Sequence, residues 1–265
     1  MPFLTRSSSS QYRSRAGALL ISAALSAMVV SVGWSDAAAS EPAVVHESPG
    51  RTVTLDYEKP CTVADSGHGW SYSFTYPPVE PGLEFLWAGA VADMEDVRIS
   101  FANSADSTLP AGELEQWESW MIEGGMSLLP APDCYAVAMC KYWWFTGGAH
   151  GLNNTFLYRY ALVGGPGSQD WAEIDSRDLL ADSAELVRMS EIVIDTLAAR
   201  LGPDPDMEWI VMGAGPYWEN YSMLYPVPDS EGALAGFTVR FTEYAVGPYC
   251  FGQQEVFVPL GLLRP

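Results

Sequence analysis

Three histidines are available for proton transfer or metal ligation, His46, His68 and His150. Metal-dependent hydrolysis needs imidazole and carboxylate ligands at a fixed spacing, such as HExxH on one helix face, and the chain has no such spacing. It also lacks a GxSxG nucleophile elbow and a GxxxxGK[ST] phosphate cradle. With 33 Asp plus Glu, some pair of acids falls at glycosidase spacing by chance, so pairing alone says nothing. The local pattern that stands out is Tyr142-Trp143-Trp144-Phe145-Thr146-Gly147-Gly148-Ala149-His150-Gly151. Glycine permits a sharp turn or a close backbone approach, and a histidine at the tip can donate, accept or titrate near neutrality. The segment is either a ligand-contacting loop or a tight turn whose histidine braces the next loop. Trp218, Tyr221 and Tyr225 are likewise core or contact surface.

Charge narrows the partners. Thirteen Lys plus Arg against 33 acids give a net charge of -20 over 265 residues. Nucleic acids are bound chiefly through Lys and Arg on phosphate, so a nucleic-acid binder is excluded, and anionic membranes are poor partners for the same reason. A hydrophobic share of 48% with only 17% charged residues describes a folded chain with a real core.

The N-terminus reads as an address. Arg6, Arg13 and Arg15 form a positive region without acids, Ala16 to Trp34 is uncharged and mostly apolar, and Ala37-Ala38-Ala39 offers a small-x-small cleavage site. The expected organisation is a signal peptide over 1–39, a polar tail over 40–50, and a single domain over 51–265. Export places the protein in the periplasm or outside the cell, and the signal segment is the one stretch expected to touch a membrane if it is retained. In an oxidising compartment Cys61, Cys134, Cys140 and Cys250 read as up to two disulfides. Cys134 and Cys140 stand too far apart along a strand or helix to bond each other, which leaves Cys61 and Cys250 as their partners in either order, and the alternative is that one pair is simply buried free thiols.

The elements that must position these residues follow from periodicity. Trp70, Tyr72, Phe74 and Tyr76 alternate with small polar residues up to Pro77-Pro78, a half-buried strand. Leu83, Leu86, Trp87, Ala90, Val91 and Met94 follow helical spacing. A second short helix is expected from Glu113 to Ile122, ending at Gly124-Gly125. Tyr135 to Phe145 suits a central strand, and Phe156 to Leu162 returns from it across a connection running from Gly147 to Asn154. Asp182 and Glu185 open a helix whose buried stripe is Leu186, Met189, Val193 and Leu197, with Arg200, Gly202 and Pro203 as its stop. Phe237 to Phe241, a turn from Gly247 to Gly252, and a strand through Val256 and Val258 close the chain.

Several of these segments resemble a known family. Ser73 to Pro77, the loop Phe145 to Gly151, the helix entry Asp178-Leu179-Leu180, and Phe241-x-x-Tyr244-x-x-Gly247-Pro248-Tyr249-x-x-Gly252 followed by Glu255-Val256-x-Val258-Pro259 are similar to the RsiV/PdaC-type extracytoplasmic domain. That domain is shared by a lysozyme-sensing anti-sigma factor and the N-terminal part of a peptidoglycan deacetylase, and the resemblance spans about residues 50 to 263. It implies an α+β fold with a mixed or antiparallel sheet and helices on one face, working as a binding module without a cofactor. The implied partner is a basic lysozyme-like protein or peptidoglycan, met through Gly147, Gly148, His150, Gly151, Tyr244 and Tyr249. Cys250 inside the closing motif departs from the family pattern and implies a disulfide-braced variant. A glycan-modifying role in which His150 moves a proton is the alternative from a different class.

Overall fold

The computed structural model describes residues 42–265 apart from 111, 113–118 and 165–167. The fold is α+β, and the strands fall into three sheets. A six-stranded mixed sheet has the order β3(Cys61–Gly67), β4(Trp70–Tyr76), β5(Trp120–Leu129), β6(Tyr135–Phe145), β7(Leu152–Leu162), β8(Trp171–Glu173). A three-stranded antiparallel sheet has the order β11(Gln254–Pro259), β10(Leu234–Phe241), β9(Leu224–Pro228), and β1(Val44–Ser48) pairs with β2(Arg51–Leu55) as a ribbon. No helix among the described residues is long and apolar enough to cross a membrane.

The alternation of β4 is realised literally, since Trp70, Tyr72, Phe74 and Tyr76 are all at most 8% exposed. Burying side chains of this size contributes about 1.5–3 kcal/mol each. They face the helix α1(Glu84–Thr108), whose Leu86, Trp87, Ala90, Val91 and Met94 have no exposed surface. Helix α1 also explains the one parallel pairing among the described residues, β4 with β5, because parallel neighbours need a crossover between them. It ends where Leu109 becomes extended ahead of Pro110.

Three expectations are corrected here. Trp120, Met121 and Ile122 belong to β5, not to a helix ending at Gly124-Gly125, while the remainder of that expected helix, 113–118, lies outside the described residues. Both glycines are needed for contact. A Cβ on Gly124 would stand 2.5 Å from the Lys141 carbonyl oxygen and from the Tyr142 Cβ on β6, and one on Gly125 would stand 3.1 Å from the Thr75 carbonyl oxygen on β4. The stretch expected as a polar tail contains β1, which is held because Val44 enters the first core and the Ser48 hydroxyl donates to Glu95 Oε2 at 2.6 Å. Glu95 is 1% exposed and pairs with Arg98, which reaches on to Asp65 at 2.6 Å. The connection after β6 is also shorter than expected, because Leu152 to Asn154 already pair with Tyr142 to Trp144.

The four cysteines are free thiols. The expected disulfides are not formed because the fold scatters the sulfurs. Cys140 is wholly buried in the first core opposite Phe156, Cys61 opens β3 opposite Tyr76, Cys134 precedes β6, and Cys250 lies in a turn of the second sheet. Burial pushes the Cys140 thiol up to about 12.

The second core is built from the three-stranded sheet and three helices, α2(Ser183–Arg200), α3(Met207–Ala214) and α4(Leu260–Leu263). Asp182 caps α2 by accepting the Glu185 N–H at 2.8 Å, and Leu186, Met189, Val193 and Leu197 are each at most 2% exposed. The two cores are tied through β7. Arg159 is 9% exposed, and its Nη1 donates to the Ser222 and Leu224 carbonyls at 2.8 and 2.7 Å.

Candidate functional site

The β6–β7 turn of the first sheet and the β10–β11 connection of the second meet at the surface. There the structure brings His150 and Gly151 together with Tyr244 and Tyr249, residues about ninety-five positions apart, as three ties show. The His150 ring stacks on Tyr249 with centroids 4.0 Å apart and planes at 18°. The Tyr249 hydroxyl donates to the Gly151 carbonyl at 3.2 Å. Asn153 Nδ2 on β7 donates to Glu243 Oε1 at 2.6 Å.

Hydrogen-bond partners assign the imidazole. His150 Nδ1 lies 3.1 Å from the Gly151 carbonyl oxygen, which can only accept, so in the neutral ring Nδ1 carries the proton. Nε2 is then the acceptor for the Tyr244 hydroxyl, 3.3 Å away. A carbonyl, rather than a carboxylate, orients this imidazole, and the hydroxyl it faces is a phenol. The arrangement can stack on a flat or apolar surface and exchange hydrogen bonds at its edge. Glu243 adjoins Tyr244 in the chain, with one oxygen spent on Asn153 and Oε2 buried without a partner among the described residues.

Tyr244 is the one non-glycine residue among those described with positive φ, at 68°. For a bulky side chain the left-handed region costs roughly 1–2 kcal/mol, and such outliers persist where the surroundings over-determine them. Here Trp209 on α3 donates its Nε1 hydrogen to the Tyr244 carbonyl at 2.9 Å. Gly213 lets α3 approach, since a Cβ there would fall under 3.0 Å from the Ala245 carbonyl oxygen. The strained backbone leaves the Tyr244 side chain 45% exposed beside His150.

Of the residues singled out from sequence, His150, Gly151, Tyr244 and Tyr249 form the cluster. Gly147 and Gly148 lie exposed in the turn, Gly147 with the left-handed φ of 72° that its residue type permits. His68 sits apart in the β3–β4 turn, its Nε2 2.9 Å from the Pro110 carbonyl oxygen, and His46 is on β1. Tyr221 is core, fully buried with its hydroxyl on the Ala214 carbonyl, whereas Trp218 and Tyr225 are half-buried. Among the described residues no group of three or more His, Cys, Asp or Glu side chains is arranged to hold a metal.

Sequence reasoning missed helix α3, which carries Trp209 and leaves Met207, Val211 and Met212 exposed on its outer face. The available signal was Asp206, whose side chain caps the helix at the Trp209 N–H, followed by an apolar run. It also missed the tie from Asn153 to Glu243, which no local pattern encodes.

No family model matches the chain, and no curated protein matches it. Solved structures similar to it include two DUF3298 family proteins. One, from Pseudomonas aeruginosa, shares 13% identity over 78% of this chain and 91% of that chain, with a TM-score of 0.49. The other, from Bacteroides fragilis, shares 16% identity over the same proportions, with a TM-score of 0.46.

Proposed function

We propose that the protein is an exported, envelope-facing binding protein that holds a basic protein partner, a lysozyme-type muramidase first among them, on the surface around His150, Tyr244 and Tyr249. The observation that carries this reading is Tyr244. Its backbone is held in a strained conformation by Trp209, and the result is a ring presented to solvent beside a histidine, an arrangement that serves contact better than core packing. Aromatic side chains presented at low entropic cost are the usual anchors of protein interfaces. The outer face of α3, with Met207, Val211 and Met212 exposed, flanks this cluster through Trp209 and enlarges the apolar area open to a partner. A net charge of -20 favours a basic partner and speeds its approach. Export rests on the arginine-led apolar leader and the Ala37-Ala38-Ala39 site.

The test is association of the chain with a basic lysozyme-type muramidase at low salt and at about 0.5 M salt, where screening shortens the reach of charge to a few ångströms. The expected result is binding that weakens with salt and is lost in His150→Ala and Tyr244→Ala. No binding at either salt removes the proposal. Exposed tyrosine rings also suit stacking on sugars, which favours a second reading, recognition of cell-wall glycan. Binding of soluble peptidoglycan fragments that is insensitive to salt would select it.

A further inference from the structure

Helix α3 stands on the second core with its opposite side uncovered. Of its eight residues, Met-Glu-Trp-Ile-Val-Met-Gly-Ala, only Glu208 is charged. A helix that is apolar all round is normally buried all round. Here Ile210 and Ala214 are buried, and Trp209 and Gly213 lie against the backbone of Tyr244 and Ala245, while Met207, Val211 and Met212 are between 43% and 68% exposed. Helix α2, packed on the same core, instead turns Glu191, Asp195 and Arg200 to solvent. With about 3.6 residues per turn, the exposed side of α3 is built from two rows spaced i, i+4, Met207–Val211 and Glu208–Met212, with a groove between them. Rows and grooves of this kind are what a second helix packs into. Tyr217 extends the surface past the C-terminal end of the helix, since its exposed ring would lie 3.3 Å from a Cβ on Gly215.

Charge selects the kind of helix. From Leu201 to Val239 the chain holds no Lys, Arg or His, and Asp204, Asp206 and Glu208 gather at the start of α3 with Glu219 beyond its end. All four acids are exposed, and among the described residues none is in an ion pair. An apolar strip with unneutralised acids at both ends matches a helix that carries an apolar stripe and Lys or Arg beside it. The stripe supplies affinity, and the charges set orientation and speed of approach. Methionine suits such a surface, because its unbranched thioether adapts to the side chains it meets. The same acids repel an acidic helix.

We propose that α3 docks a basic amphipathic helix of the partner, with the apolar stripe of that helix along Met207, Val211 and Met212 and its Lys or Arg at the flanking acids. The inference rests on the reading of this face as a partner-binding surface and names what the partner brings to it. The experiment labels the methionine methyls of the full chain with 13C and titrates it with a synthetic peptide of leucine and lysine at helical spacing, about fourteen residues or four turns long. The controls are the same residues in strict alternation and the helical peptide with glutamate in place of lysine. The Met207 and Met212 signals are identified by their loss in Met207→Leu and Met212→Leu. Saturable shifts of both signals, but not of buried Met189, with the basic helical peptide alone support the proposal. The affinity should fall about tenfold or more in Met207→Ser/Val211→Ser/Met212→Ser, which alters only exposed side chains, and should fall also in Glu208→Lys and with added salt. Equal binding of either control peptide, unchanged affinity in the triple variant or in Glu208→Lys, or no shift at all overturns it. The muramidase titration separates the two readings. A chain that binds the muramidase, loses it in Tyr244→Ala and ignores the peptide defeats this inference alone, whereas a chain that takes the peptide but not the muramidase defeats the choice of partner and supports the docked helix.

Discussion

Gly151→Ala puts the cluster to its sharpest test, because a single methyl group strikes it without altering any charge. A Cβ at 151 would fall under 3.0 Å from three atoms of the Trp143 indole. Ordinary contact lies near 3.5–4.0 Å, so the ring must retreat by roughly 1.5 Å. Trp143 is not free to do so, since it stacks on Phe145 with planes 2° apart. Overpacking of this kind costs about 1–3 kcal/mol, which for a domain of this size lowers Tm by about 2–12 °C. The alternative is for the 151 backbone to move, and its carbonyl is the acceptor for both His150 Nδ1 and the Tyr249 hydroxyl. Losing one such bond is worth about 0.5–1.5 kcal/mol, a loss of roughly 2- to 13-fold in partner affinity. Thermal unfolding and association with the basic muramidase measure the two effects. Gly261→Ala in α4, where a Cβ meets nothing within 4 Å, is the control and should melt at or slightly above the parent. A Gly151→Ala variant that melts within about 1 °C of the parent and keeps its affinity refutes the close-packed account of the site.

Three further outcomes follow from other features. Unreduced, denatured chain should take four alkyl groups, while the native chain should label fastest at exposed Cys134 and Cys250 and last at Cys140; fewer than four labels without reductant would mean that a disulfide forms. Burial pushes the Glu185 carboxyl up, but hydrogen bonds from Arg264 and the Ala181 N–H outweigh it and hold the group below the usual carboxylate range. Its stabilisation is therefore present above the unfolded value near pH 4.3 and lost as pH falls through the lower folded value, so urea midpoints should decline there and decline less in Glu185→Gln; an identical slope in that variant discards the assignment. Arg159→Met, which strips the donors from the Ser222 and Leu224 carbonyls, should destabilise by about 2 kcal/mol in urea unfolding, and a change under about 0.5 kcal/mol would deny that Arg159 ties the two cores.

Elements whose side chains follow one clean period were readable in the sequence. The strand β4 and the stripes of α1 and α2 state their burial through spacing alone, and the bounds of β6 show in its apolar run. The strand β5 was not, because its Gly124-Gly125 pair marks close approach to Tyr142 and Thr75, a long-range fact that locally imitates a helix stop. The strand β1 was hidden because its anchors, Leu55 across the ribbon and Glu95 on α1, lie elsewhere in the chain; the Pro49-Gly50 dipeptide, with Gly50 at a φ of 84°, was its local trace. At the candidate site the residue types were legible but their meeting was not. Nothing near His150 encodes that Tyr249 will lie against it, and the strain at Tyr244 is set by Trp209 on an element that eight residues barely announce.

The aromatic cluster straddles a seam, with its imidazole carried by one β-layer and its phenols by the other. It therefore works as a gauge of the gap between the layers. The contact between Tyr244 and His150, already 3.3 Å long, would part under a slide too small to disturb either core. By reciprocity, a molecule that grips both sides of the seam must clamp the layers together, and a change that loosens the layers must weaken that grip by the same factor.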